Sequence, residues 1–138
     1  MRNPIDPLCA VVEPGQCNQL GHMKVEHYFA AVSELTHSAM IELGLESGDT
    51  DQPQMSFAVV HAETDFKAGL VAGDEFRLSF GVASIGTKSA TFTYLMERVA
   101  DGVVAFETSF KTALIGNDDG KAHEIPGDIR QALEELQG

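Results

Sequence analysis

Three polar residues near the start of the chain could do chemistry together: Asn18, His22 and Glu26. His22 and Glu26 are four apart, which on a helix stacks them on one face, one turn apart. A carboxylate beside an imidazole raises its basicity and fixes its tautomer, so the pair reads as a candidate general base. Asn18 is an amide that cannot act as a base or nucleophile at neutral pH, but it can hold a water or a carbonyl. It equally suits a helix cap or a tight turn. His61, Glu63 and Asp65 alternate with smaller residues and so share one strand face. On a wet surface they are a polar stripe. Facing a cleft, Glu63 becomes a second candidate base, and Glu26, Glu63 and Asp65 together would draw in a cationic group.

Other chemistries are disfavoured. The run His22-Met23-Lys24-Val25-Glu26-His27 has neither zinc-protease spacing, and no cysteine pair lies nearby, so no metal is expected. Cys17 has uncharged neighbours and reads as a small buried residue. The stretch 81–86 (GVASIG) lacks the strand-to-helix setting of a dinucleotide loop.

The elements that must position these residues follow from periodicity. Residues 8–12 (LCAVV), bounded by Pro7 and Pro14, predict a first strand. Val25, Tyr28, Phe29, Val32, Leu35, Thr36, Ala39, Met40 and Leu43 recur at three- and four-residue steps, predicting a long helix over about 23–43 that stops at Gly44. Its positive end would lie beside Asn18 and His22 and favour developing negative charge. A polar loop over 46–53 comes next. The period then drops to two: residues 55–66, 75–82, 89–98 and 103–114 predict strands, the last two joined by a tight turn at Ala100-Asp101-Gly102. Over 55–66, Met55, Phe57, Val59, His61, Glu63 and Asp65 are expected on one face. A short amphipathic helix closes the chain over 127–136. One helix followed by strands joined by turns predicts an α+β fold, a curled antiparallel sheet of five to six strands around a central helix, with residues 1–138 as one domain.

Composition agrees with an ordinary globule: of 138 residues, 43% are hydrophobic and 22% charged. The formal charge of −12 makes a nucleic-acid partner improbable. No run approaches the ~20 apolar residues of a membrane span. Two cysteines and no signal-like start make a cytoplasmic location the expectation.

The segment Asn18-Gln19-Leu20-Gly21-His22-Met23-Lys24-Val25-Glu26-His27-Tyr28 resembles the D-x-x-G-H-V-N-N-x-x-Y opening of hotdog-fold thioesterases of the 4-hydroxybenzoyl-CoA thioesterase type. Gly21, His22 and Tyr28 fall on the pattern, and Met23 takes its apolar position. Asn18 stands where the family has its catalytic aspartate, while Lys24 and Val25 replace the two asparagines. The resemblance implies the hotdog fold and hydrolysis of a short acyl-CoA thioester, polar or cationic (betainyl, for example) if the carboxylates line the pocket. Coenzyme A enters as part of the substrate, and no separate cofactor is expected. It further implies a homodimer or homotetramer, with the backbone N–H of Val25 as oxyanion donor. Asn18, His22 and Glu63 become the catalytic candidates. Gly21, Glu26, Tyr28, His61 and Asp65 fall on the substrate side, with Lys88, in a polar turn, for the coenzyme A phosphates. In related plant acyl-carrier-protein thioesterases a histidine at the place of His22 is assigned a catalytic role. Asn18 also fits a catalytically silent acyl-CoA-binding relative, or an aspartate enzyme inactivated by replacement. Pairing of His22 with Glu63 across a dimer would imitate a hotdog dehydratase.

Overall fold

The computed structural model describes residues 5–45 and 55–137. The chain forms β1 (Leu8–Val11), a 3₁₀ turn (Pro14–Gln16), α1 (Val25–Glu42), β2 (Met55–Phe66), β3 (Glu75–Ile85), β4 (Ser89–Arg98), β5 (Val104–Gly116) and α2 (Gly127–Leu136). The polar loop predicted over 46–53 lies outside the described residues. The strands make one antiparallel five-stranded sheet in the order β1-β3-β4-β5-β2. With α1 laid on its inner face, this is the hotdog architecture.

The core is the apolar face of α1 against the inward residues of the sheet. Tyr28, Val32, Leu35, Ala39 and Met40 bury against Leu78, Phe92, Tyr94, Met96, Phe106 and Leu114. Full burial of each large side chain contributes on the order of 1.5–3 kcal/mol. Val25, assigned to that face by its spacing, is instead exposed, because it is the first helical residue and precedes the packed turns. From α2, Ile129, Ala132 and Leu133 join the same core.

The predicted single face of β2 is broken. Its register against β5 slips between Val59 and His61, so Val59 pairs with Thr112 and His61 with Lys111. A bulge at Val60 therefore reverses the alternation. Met55, Phe57 and Val59 point inward with buried Leu114 and Thr112, whereas His61, Glu63 and Asp65 point outward with Lys111, Ser109 and Glu107. Phe66, at the far end, is inward again and meets Phe106.

Candidate active site

A small closed loop precedes α1. The Asn18 N–H donates to the His22 carbonyl (2.8 Å), and the Gly21 N–H donates to the Asn18 carbonyl (3.0 Å). Inside the loop, Asn18 Oδ1 accepts from the N–H groups of Leu20 (2.9 Å) and His22 (3.1 Å). Asn18 is therefore a turn-forming residue rather than a helix cap, and its acceptor is fully used. What remains is the Nδ2 donor, which has no partner among the described residues. Gly21, expected on the substrate side, has φ +85° and supplies the left-handed residue that this turn requires.

The loop is stitched to the rest of the fold on both sides. Cys17 bridges Met23, and the Lys24 N–H donates to the Gln16 carbonyl (2.9 Å). His22 bridges Val71, and the Met23 N–H donates to the Leu70 carbonyl (2.8 Å). Helix α1 begins only at Val25, with Lys24 as N-cap and no side-chain cap bond. Lysine has no side-chain acceptor to offer, so the N–H groups of Val25 and Glu26 have neither an intrahelical nor a side-chain partner among the described residues, whereas the His27 N–H donates to the Lys24 carbonyl (3.0 Å). The Val25 and Glu26 N–H groups thus lie at the positive end of the helix dipole, where negative charge is favoured.

This late start also undoes the predicted pairing of His22 with Glu26. His22 lies before the helix, so four-residue spacing does not stack the two side chains. Glu26 points to solvent and sits 3.7 Å from Lys24 Nζ and 4.0 Å from His27 Nε2.

Tyr28, expected to touch substrate, is buried. Its hydroxyl accepts from the Leu70 N–H (3.3 Å), and its ring packs against Phe66 and Phe106. Burial is the main reason its phenol is pushed above the usual range. Sequence reasoning missed the segment 69–71 as a partner of this site, and it counted Arg98 only among the basic residues available for the coenzyme A phosphates, without its tie to that segment. Arg98 forks onto Asp101 (3.0 and 2.9 Å) and reaches the Gly69 carbonyl at 3.5 Å. The fork raises the guanidinium's pKa and holds the Asp101 carboxyl below its ordinary value. The only early signal was the turn at Ala100-Asp101-Gly102, which spaces Arg98 and Asp101 three apart.

The second constellation does not reach this loop within one chain. His61 Nε2 lies 3.4 Å from Glu63 Oε1, and both are exposed on the outer sheet face. Glu63 and Asp65 instead line an outer groove of about 470 Å³ with Glu107, Ser79, Gly81 and Thr93. Lys67 binds Glu107 at 2.9 Å, which raises the ammonium's pKa and offsets part of the carboxylate charge. Lys88 precedes β4, whereas Arg98 ends it. About ten strand residues, roughly 30 Å, therefore separate Lys88 from the Asn18 loop's end of the sheet. Among the described residues no group of three or more His, Cys, Asp or Glu side chains could hold a metal. No described helix is long and apolar enough to cross a membrane.

A slot of about 330 Å³ opens between α1 and the inner face of β2 and β5. Phe57, Phe92, Phe110 and Tyr94 line it with Thr36 and Thr112. Thr36 Oγ1 donates to the Val32 carbonyl (2.7 Å) and so accepts from the Tyr94 hydroxyl (2.5 Å). Burial pushes the Tyr94 phenol up to about 12, so it stays a neutral donor at physiological pH.

The model of the thioesterase-like superfamily matches residues 12–133. A 1,4-dihydroxy-2-naphthoyl-CoA hydrolase of Nostoc punctiforme is 31% identical over 113 residues, covering 78% of this chain and 74% of that protein. A 1,4-dihydroxy-2-naphthoyl-CoA thioesterase from Synechocystis superposes with a TM-score of 0.80 at 14% identity, over 95% of this chain and 96% of that one. A Staphylococcus aureus protein solved in complex with CoA gives 0.87 at 13% identity, over 100% and 88%.

Proposed function

The chain belongs to the thioesterase-like superfamily, and from that premise we propose that it hydrolyses acyl-CoA thioesters at the loop before α1. The supporting observation is the uncapped start of α1 beside a loop that presents the Asn18 amide donor and the His22 imidazole. In this reading Asn18 Nδ2 orients the thioester carbonyl or the attacking water. His22 takes the proton as that water adds to the carbonyl carbon. The oxyanion so formed meets the Val25 N–H and the positive end of α1. Collapse expels the coenzyme A thiolate, which recovers the proton from His22, leaving a carboxylic acid and free thiol. Glu63, on the outer face, would need another subunit to reach this loop.

Two acyl classes have specific support. A short polar or cationic group has the carboxylate groove of Glu63, Asp65 and Glu107, although Glu26 does not contribute to it. An aromatic group has the phenylalanine-lined slot, with its threonine and tyrosine hydroxyls, and the naphthoyl substrate in the relative's name. Ser33, at the slot's near end, is eight residues beyond Val25, about 12 Å along the helix. We expect hydroxylated aromatic acyl-CoA esters to be cleaved at least about tenfold faster (kcat/KM) than betainyl-CoA. The reverse order would assign the groove instead, and no cleavage of any ester in such a panel would reduce the chain to an acyl-CoA-binding relative.

A homodimer or tetramer belongs to the same proposal. Strand β2 is the sheet's long edge, with Val59 and Val60 exposed on it. Unpaired edges of this kind invite pairing with another copy. Light scattering at micromolar concentration is expected to give at least twice the 14.8 kDa chain mass. A stable monomer there would falsify both the dimer and any role for Glu63 from a second subunit.

A further inference from the structure

We propose that Gly69 is a positioning residue for His22, its missing side chain leaving the bed on which the imidazole lies; this rests on His22 acting at the site described above. A Cβ built at Gly69 would stand 3.3 Å from His22 Cδ2, 3.5 Å from Cγ and 3.6 Å from Nε2. Near-equal distances to three ring atoms mean that the ring covers this position with its face. The nearest of them is tighter than an ordinary van der Waals contact, so a methyl group there must push the ring away by a few tenths of an ångström.

Backbone conformation does not account for this glycine. Five glycines adopt positive φ, namely Gly21, Gly44, Gly73, Gly102 and Gly120, and Gly69 is not among them. An alanine could therefore take up the same backbone, and by restricting the unfolded chain it would tend to stabilise the fold. What it would meet first is the histidine ring.

The bed is itself held from several directions. The Leu70 N–H donates to the buried Tyr28 hydroxyl (3.3 Å), and the Leu70 carbonyl accepts from the Met23 N–H (2.8 Å). The Val71 N–H donates to Asp74 Oδ2 (2.9 Å). The Gly69 carbonyl faces the Arg98 guanidinium at 3.5 Å, which Asp101 holds in place. The His22 backbone is itself tied down, its N–H donating to Asn18 Oδ1 (3.1 Å). The floor and the His22 backbone are both held, so on this face the position of the exposed imidazole is set by the space that glycine keeps open. Small misplacements of a reacting group are costly, since displacements near 1 Å lower rates by roughly 10²-fold.

The test is Gly69→Ala, read in three ways. Its melting temperature should equal or exceed that of the natural chain. Its kcat should fall about tenfold with KM little changed, and in a His22→Ala background it should cost nothing further, because the ring it displaces is gone. By NMR, the contacts between the His22 ring protons and the Gly69 Hα protons should weaken in the variant and the ring-proton shifts should move. Unchanged kcat with unchanged ring shifts overturns the proposal, as does an equal loss of rate in the His22→Ala background. If the natural chain cleaves no thioester, the assignment of hydrolysis fails. The NMR comparison still decides whether Gly69 places the ring, and identical ring environments in the two proteins then reject it.

Discussion

Replacing Asn18 by alanine is expected to lower turnover by about 10²-fold or more, the typical loss when one oriented transition-state donor is removed. The side chain has two separable jobs. Oδ1 pins the loop through the N–H groups of Leu20 and His22, and Nδ2 is the donor left to face a substrate. Alanine removes both, so about 1 kcal/mol of stability per lost hydrogen bond accompanies the kinetic effect. Asn18→Asp separates the jobs, because one carboxylate oxygen can keep both N–H bonds while the other replaces the donor by an acceptor. This variant should hold the melting temperature of the natural chain. Full hydrolysis by Asn18→Ala would mean that the site lies elsewhere. Hydrolysis that emerges only in Asn18→Asp would make the natural chain a non-catalytic acyl-CoA binder. Within the same series, His22→Ala should abolish the rise of rate with pH on the acidic limb of the pH–rate profile, because a general base works only unprotonated, and Glu63→Ala should leave that limb in place.

The largest effect on stability is expected at Phe106. Its side chain is fully buried, with ring centroids 5.2 Å from Tyr28, 5.6 Å from Phe29 and 5.2 Å from Phe66. Phenylalanine-to-alanine changes in such cores cost about 3–5 kcal/mol through lost transfer energy and the cavity left behind. Aromatic pairing adds about 0.5–1.5 kcal/mol for each well-placed pair. Against a typical total of about 5–15 kcal/mol, Phe106→Ala should leave the protein barely folded at 25 °C. The consequence reaches the site, because Tyr28 loses one of its two ring partners and with it a firm seat for the hydroxyl that holds Leu70, the neighbour of Gly69. Urea unfolding measures it directly. A cost near 1 kcal/mol would mean that the cluster collapses around the gap and that α1 is anchored by other contacts. Phe106→Leu, which keeps most of the volume, should cost less than about 1.5 kcal/mol.

Much of this molecule was legible before any fold was in hand. The 3.6-residue period from Tyr28 to Met40 and the alternation in β3, β4 and β5 depend on local geometry alone, and each placed its element within a few residues. Gly44 and Gly102 marked turns for the same reason, since only the local backbone had to bend. The motif from Asn18 to Tyr28 identified the family.

Side-chain direction and partnership were decided only by tertiary structure. One inserted residue at Val60 turned His61, Glu63 and Asp65 to the outer face, because a strand's two-residue period reverses with a single bulge. The helix starting at Val25 rather than two residues earlier parted His22 from Glu26, because a loop hydrogen-bonded to residues 70–71 outcompeted another half-turn of helix. Tyr28, Arg98 and Gly69 are separated along the chain by tens of residues, and no local pattern could announce that they meet. Periodicity records which residues leave water; where a polar side chain points, and what it touches, is settled by register and by the long-range hydrogen bonds that only the folded chain can make.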